Sequence, residues 1–140
     1  MVDEVRVLRL LRSISDDLTV LRTEASAAPQ RRADPLWLRG VKYTFVTAIE
    51  AGVDVAQHVC ASQGWGPPRD NGDAVRLLGA HGVLSADLAD RLRRAVGFRN
   101  VLVHDYIEVD DGIVLDRLAN LTDLDDFVVA VAAWVVPPSS

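Results

Sequence analysis

An all-α bundle of four long helices and one short helix is the fold the sequence predicts, on three observations. Apolar residues recur at the 3.6-residue helical period through several long segments. Strand-like alternation is scarce, and connectors rich in proline and glycine separate the periodic segments. With 140 residues, 49% of them hydrophobic, and a mean hydropathy of +0.14, the chain can bury a core without metal or disulfide staples.

The elements follow in order. Val5, Leu8, Leu11, Ile14, Leu18 and Leu21 step by three and four, which predicts a first helix from about Asp3 to Glu24. The stretch "ASAAPQRRADP" reads as a connector. A second helix is expected from about Leu36 to Ala61, with Val41, Phe45, Ala48, Ile49, Gly52, Ala56 and Val59 on its inner stripe. Gly52 costs roughly 1 kcal/mol in helix propensity, which close approach of another helix would offset. "SQGWGPPRDNGD" is a loop by composition, and a short helix from about Asp73 to Ala80 follows it. Ser85 reads as the N-cap of a helix to about Val103, with Asp87 in its first turn and Leu88, Leu92, Ala95, Val96 and Leu102 inside. "EVDDGIVLD" is a turn or a short extended piece. The last helix, with a break near Thr122, ends before Pro137 and Pro138; its "TDLD" resembles a capping box with Asp in place of Glu or Gln. One domain over residues 1–136 and a short tail over 137–140 are expected.

Composition excludes several classes. Cys60 is the only cysteine, so neither a disulfide framework nor a cysteine-cluster metal site is available, and a reducing cytoplasm is the expected location. No apolar run approaches the ~20 residues a membrane span needs, and the first residues mix acids and arginines into their apolar positions, unlike a signal peptide. The net charge of −5 is uneven. Residues 105–140 hold eight acids and one arginine, whereas residues 61–104 hold six arginines and four aspartates. So acidic a chain is no general nucleic-acid coater, because that role needs phosphate neutralisation over a broad surface. Arg91, Arg93, Arg94 and Arg99 form its densest basic cluster, read either as a solvated helix face or as a local RNA site.

The residues with the most specific chemistry lie at the end of that helix, in "RNVLVHDY". Cleaving RNA without a metal needs a base for the ribose 2′-hydroxyl and a cation for the phosphorane charge. Histidine titrates near neutrality and serves as acid or base; the arginine fork matches phosphoryl oxygens. On an ideal helix Arg99 and Tyr106 are nearly aligned, while Arg99 and His104 stand about 140° apart. Bringing both to one atom therefore needs the long Arg side chain, fraying of the helix, or a second copy across an interface. The competing reading makes His104 a plain helix-end residue, favoured by the dipole, with Tyr106 packing its ring.

The spacing in "RNVLVHDY", Arg, four residues, His, one residue, Tyr, resembles that of HepT-like toxins of the HEPN superfamily. "YTFVTAIEAGVDVAQHVC" is similar to the second helix of that family, and "DAVRLLGAHGVLSADLADRLRRAVGFRN" shares its order of short helix, glycine and motif helix. The resemblance covers roughly residues 1–136. It implies a small helical bundle that forms a homodimer with paired motifs at the interface cleft. It further implies a metal-independent endoribonuclease acting on RNA as the toxin of a type II-like toxin–antitoxin pair, with no cofactor. Arg99 and His104 become the catalytic pair and Asn100 its polar support. Tyr106 becomes the acceptor of AMP from a cognate minimal nucleotidyltransferase antitoxin, as in members that carry this tyrosine. The dimer would also answer the 140° separation.

Other polar residues carry weaker signals. Glu50, Asp54 and His58 share one face of the second helix, but ligands spread over two turns rarely converge on one ion, and no metal site is assigned. Glu50 or Asp54 can instead supply the acidic residue that HEPN proteins often carry near the motif. His58 reads as a satisfied core histidine, His81 as a loop residue and Cys60 as helix filler. Trp65 either closes over a cleft or packs on the bundle; Trp37 and Trp134 belong to the core or a dimer surface. The alternative function is a non-catalytic HEPN interaction module that binds a nucleotide or a partner nucleotidyltransferase. The Arg–His pair favours the enzyme, and the acidic last third favours a protein partner.

Overall fold

The computed structural model describes residues 2–104 and 110–137, and every regular element among them is helical. The first helix, α1 (Glu4–Ala25), starts where the Asp3 carboxylate accepts the Arg6 N–H at 3.1 Å. It buries Val7, Leu11, Ile14, Leu18 and Leu21. Val5 and Leu8, expected inside, face solvent. Val7 falls at the centre of the stripe set by the later residues, about 100° from Leu8 and about 160° from Val5.

The connector after α1 contains a further single-turn helix, α2 (Pro29–Arg32), with proline at its first position. Glu24 anchors it, accepting from Arg31 and, at 2.8 Å, from the Trp37 indole N–H. These contacts, Arg31 foremost, hold the Glu24 carboxyl below the usual range. Trp37 is buried here as part of the core.

The central element is α3 (Pro35–Gln63), capped by Asp34 and ended by Gly64 in the left-handed conformation at φ 72°. All seven residues of its expected inner stripe are buried, and it packs on α1 and two later helices. The close helix approach expected at Gly52 is not what is found: a Cβ there would lie 3.4 Å from the Phe127 ring of the last helix, an ordinary van der Waals distance that does not require glycine.

Next come α4 (Asn71–Ala80) and α5 (Ala86–Val103). Asp70 caps α4 two residues earlier than expected, accepting the Asp73 N–H at 2.7 Å. Asp73 is itself buried, and its carboxylate accepts from the Arg69 N–H and the Arg76 guanidinium, which lower its pKa in that order. Ser85 caps α5 as its sequence predicts. In the loop before α4 the Trp65 ring packs on the bundle, stacked on His81 with centroids 4.1 Å apart and tilted relative to Trp134.

The segment read as a turn or extended piece is helical from Asp111: α6 (Asp111–Ala119), with Asp110 accepting the Gly112 N–H at 2.8 Å. Asp-x-Gly supplied the cap, and Val114 and Leu118 reach the core. The expected break falls at Asn120–Leu121, before α7 (Thr122–Val135). The "TDLD" capping box does not form. Thr122 is the first helical residue, Leu121 stands at the cap without a side-chain bond, and Asn120 accepts the Thr122 N–H at 3.2 Å instead. The four long helices and short α4 are those expected, joined by α2 and α6.

Helix α4 crosses α5 closely at Gly79. A Cβ on Gly79 would stand 2.6 Å from the Ala89 Cβ, so only glycine allows this approach. Gly79→Ala is expected to lower stability, overpacking costing about 1–3 kcal/mol against a helix-propensity gain of about 1 kcal/mol. The midpoint of urea unfolding should fall at constant m-value; a rise would show that the helices separate freely.

Candidate active site at the end of the motif helix

Packing of α5 on α3 places the candidate residues. Phe98 is buried edge-on against Phe45 of α3, with ring centroids 5.4 Å apart. That contact fixes the next residue, Arg99, beside Glu50 one turn further along α3. Arg99 donates from Nη2 to Glu50 Oε1 at 2.7 Å and from Nη1 to Asn100 Oδ1 at 3.0 Å. Its side chain is only 20% exposed against 46% for Glu50, so the pair is partly shielded from solvent. The Arg99 Nε–H is buried and has no acceptor among the described residues. The guanidinium is thus held at two points with its Nε–H enclosed, and only the second N–H on each Nη is left over for an anion.

The helix stops at Val103. His104 is its C-cap, exposed, with φ −92° and ψ 83°, and its backbone N–H donates to the Asn100 carbonyl at 3.1 Å. The His104 N–H still makes the helical bond to Asn100, and only its ψ departs from the helix, so its side chain keeps roughly the helical direction and the 140° separation from Arg99 stands. Asn100 joins the set twice, accepting from Arg99 through its side chain and from His104 through its backbone. Tyr106 lies outside the described residues.

The polar face of α3 divides. Glu50 pairs with Arg99, and Asp54 is exposed with no hydrogen bond or ion pair among the described residues. His58 is half-buried, its Nε2 accepting the Asp3 N–H at 3.0 Å and tying α3 to the start of α1. With Glu50 and His58 committed elsewhere, the three do not converge. Cys60 is buried, with Sγ 3.6 Å from the Ala74 carbonyl and its thiol pKa pushed up by burial.

The basic cluster also divides. Arg91 is enclosed by Asp87, Asp123 and Asp126 and clamps α5 to α7; hydrogen bonds to Asp123 and Asp126 chiefly raise its pKa. Arg93 and Arg94 are exposed beside a cleft of about 570 Å³ between α5 and the start of α4, whose lining includes Asn100. This cleft and the Glu50–Arg99 pairing are tertiary features. Sequence spacing offered Glu50 and Asp54 equally and could not choose between them.

A helical bundle with an arginine and a histidine at the end of one helix is the HEPN architecture. Residues 7–131 match the family described as Ribonuclease HepT-like, and the chain belongs to that family. It is similar to the mRNA nuclease HepT of Shewanella oneidensis, 34% identical over 85 residues, which cover 60% of this chain and 64% of that protein. A protein of Archaeoglobus fulgidus is 32% identical over 99 residues, 71% of this chain and 74% of its own. Among solved structures, the fold is similar to the tri-AMPylated Shewanella oneidensis HEPN toxin in complex with MNT antitoxin. That match has a TM-score of 0.85 and 26% identity, covering 95% of this chain and 99% of the other. No described helix is long and apolar enough to cross a membrane.

Proposed function

We propose that this chain is a ribonuclease toxin of a toxin–antitoxin pair, cleaving RNA without a metal ion at a site built on Arg99, Asn100 and His104. The observation that carries the reading is the two-point fixation of Arg99 by Glu50 and Asn100, with His104 exposed at the end of the same helix. In this reading His104 takes the proton of the ribose 2′-hydroxyl or returns one to the leaving oxygen. Arg99 stabilises the charge that builds on the phosphorane oxygens. Asn100 orients both, and Glu50 rather than Asp54 positions the arginine. A homodimer sets two such helix ends at one cleft. The similarity to an mRNA nuclease supports the substrate class.

The test is cleavage of cellular RNA by the purified chain in excess EDTA. Cleavage is expected to persist in the chelator; loss of activity that added Mg²⁺ or Mn²⁺ restores would overturn the metal-free mechanism. Silencing of the toxin is assigned to a cognate nucleotidyltransferase that transfers AMP to Tyr106, a reading supported by the AMPylated state of the similar toxin. Incubation with that enzyme and ATP should add AMP units to the wild-type mass. An equal gain in Tyr106→Phe would exclude this acceptor.

A further inference from the structure

The cleft between α5 and the start of α4 is not used by the residues proposed for chemistry, apart from Asn100 at its edge. Three features of it coincide. First, Arg93 and Arg94 are exposed on its wall and pair with no carboxylate among the described residues, whereas Arg91 on the same helix meets three. Second, Gly97 forms part of the lining. It lies in the interior of α5, where alanine is the better helix former, yet a Cβ there would meet nothing within 4 Å. Packing within the protomer therefore does not call for glycine at this position, in contrast to Gly79. Third, the first turn of α4, at Asn71 and Gly72, forms the opposite side and closes the cleft into a groove along α5.

We propose that this cleft is a phosphate-backbone subsite for single-stranded RNA. Arg93 and Arg94 contact phosphates of the substrate flanking the scissile bond, and Gly97 leaves the floor clear for the strand. The proposal rests on the ribonuclease reading and extends it. Arg93 and Asn100 are about 10 Å apart along the helix axis. A strand whose scissile phosphate lies at Arg99 thus passes Asn100 and Gly97 and brings flanking phosphates to Arg93 and Arg94. The two acids in the lining do not remove the attraction. Asp70 keeps its charge but lies on the positive end of α4, which offsets it, and Asp90, exposed at the wall, disfavours a phosphate at its own end and so fixes where the backbone sits. The polar lining also favours a polyanion over a second protein chain, whose interface core would be depleted of charge.

The experiment measures binding of the whole wild-type chain to a fluorescent 2′-O-methyl RNA oligomer, which lacks the attacking hydroxyl, beside cleavage of the unmodified RNA. The double substitution Arg93→Ala/Arg94→Ala is expected to raise Kd about tenfold or more. It should also reduce the slope of log Kd against log salt by about 1.4, for two phosphate contacts on a single strand, with turnover at saturating RNA within about twofold. Gly97→Ala should melt at an equal or higher temperature and still bind RNA several-fold more weakly, a combination that loss of folding cannot produce. Unchanged Kd and salt slope in the double variant, or no RNA binding by the wild type, overturns the subsite. So does a Gly97→Ala protein with weaker self-association and unaltered RNA affinity, which would assign the cleft to a second copy. Cleavage that survives His104→Ala while binding still depends on Arg93 and Arg94 overturns the active-site assignment and leaves the subsite standing.

Discussion

Replacing His104 by alanine is expected to lower RNA turnover at saturating substrate by about 10²–10⁴-fold, the range that a positioned acid or base contributes. The fold should not suffer. The side chain is exposed, and the bond that closes the last turn of α5 runs from the His104 backbone N–H to the Asn100 carbonyl, which alanine preserves. The measurements are single-turnover cleavage, melting temperature and, for residual activity, the pH–rate profile. A variant that has lost catalysis should lose the limb of the profile that the histidine supplies. Full activity in a folded His104→Ala protein would return this residue to the role of helix-end trim. A large fall in melting temperature would place the effect in folding instead.

How far the site could be read in advance depends on which residues act through their own helix. The stripe of α3 was legible because consecutive turns all face neighbours, whereas the close approach read into Gly52 belongs to Gly79, whose partner Ala89 lies on another helix. At helix ends the periodic signal runs out. Val5 and Leu8 look apolar enough to be buried, yet the first turns of α1 have neighbours on one side only, and Val7 takes that side. In "TDLD" the threonine enters the helix because Asn120, just before it, offers a competing acceptor for the same N–H. The reading of "EVDDGIVLD" missed Asp110 as a cap, since Asp-x-Gly is as much a turn signal as a helix start.

The candidate site follows the same division. Arg99, Asn100 and His104 were visible as a spacing, and because α5 keeps its hydrogen bonding up to the His104 N–H, the 140° separation remains. Where the helix ends is something periodicity does not report. The choice of Glu50 over Asp54 needed the packing of Phe98 on Phe45 to bring α5 into register with α3. The four arginines read as one cluster are divided by carboxylates from α3 and α7: Arg91 pairs with Asp123 and Asp126, Arg99 with Glu50, and Arg93 and Arg94 stay exposed.

Arg99→Ala should lower turnover by about 10²–10³-fold, the usual effect of removing one preorganised donor to a developing oxyanion. Arg99→Lys should recover little, since a lysine keeps the charge and loses the planar fork that engages Glu50 and Asn100 together. Glu50 then decides what the ion pair is for. As a partly exposed pair it adds no more than about 1 kcal/mol to stability, so its main consequence is the direction in which the guanidinium points. Glu50→Gln keeps an acceptor for Nη2 and should retain most of the activity, whereas Glu50→Ala releases the arginine and should lose turnover about tenfold or more, since small misplacements of a catalytic group are costly. Comparing kcat for the two Glu50 variants, each checked for an unchanged melting temperature, separates positioning from restraint. If Glu50→Ala were faster than the wild type, the carboxylate would be holding Arg99 away from the substrate. The pair would then be a restraint that RNA, or the second protomer, has to break before cleavage.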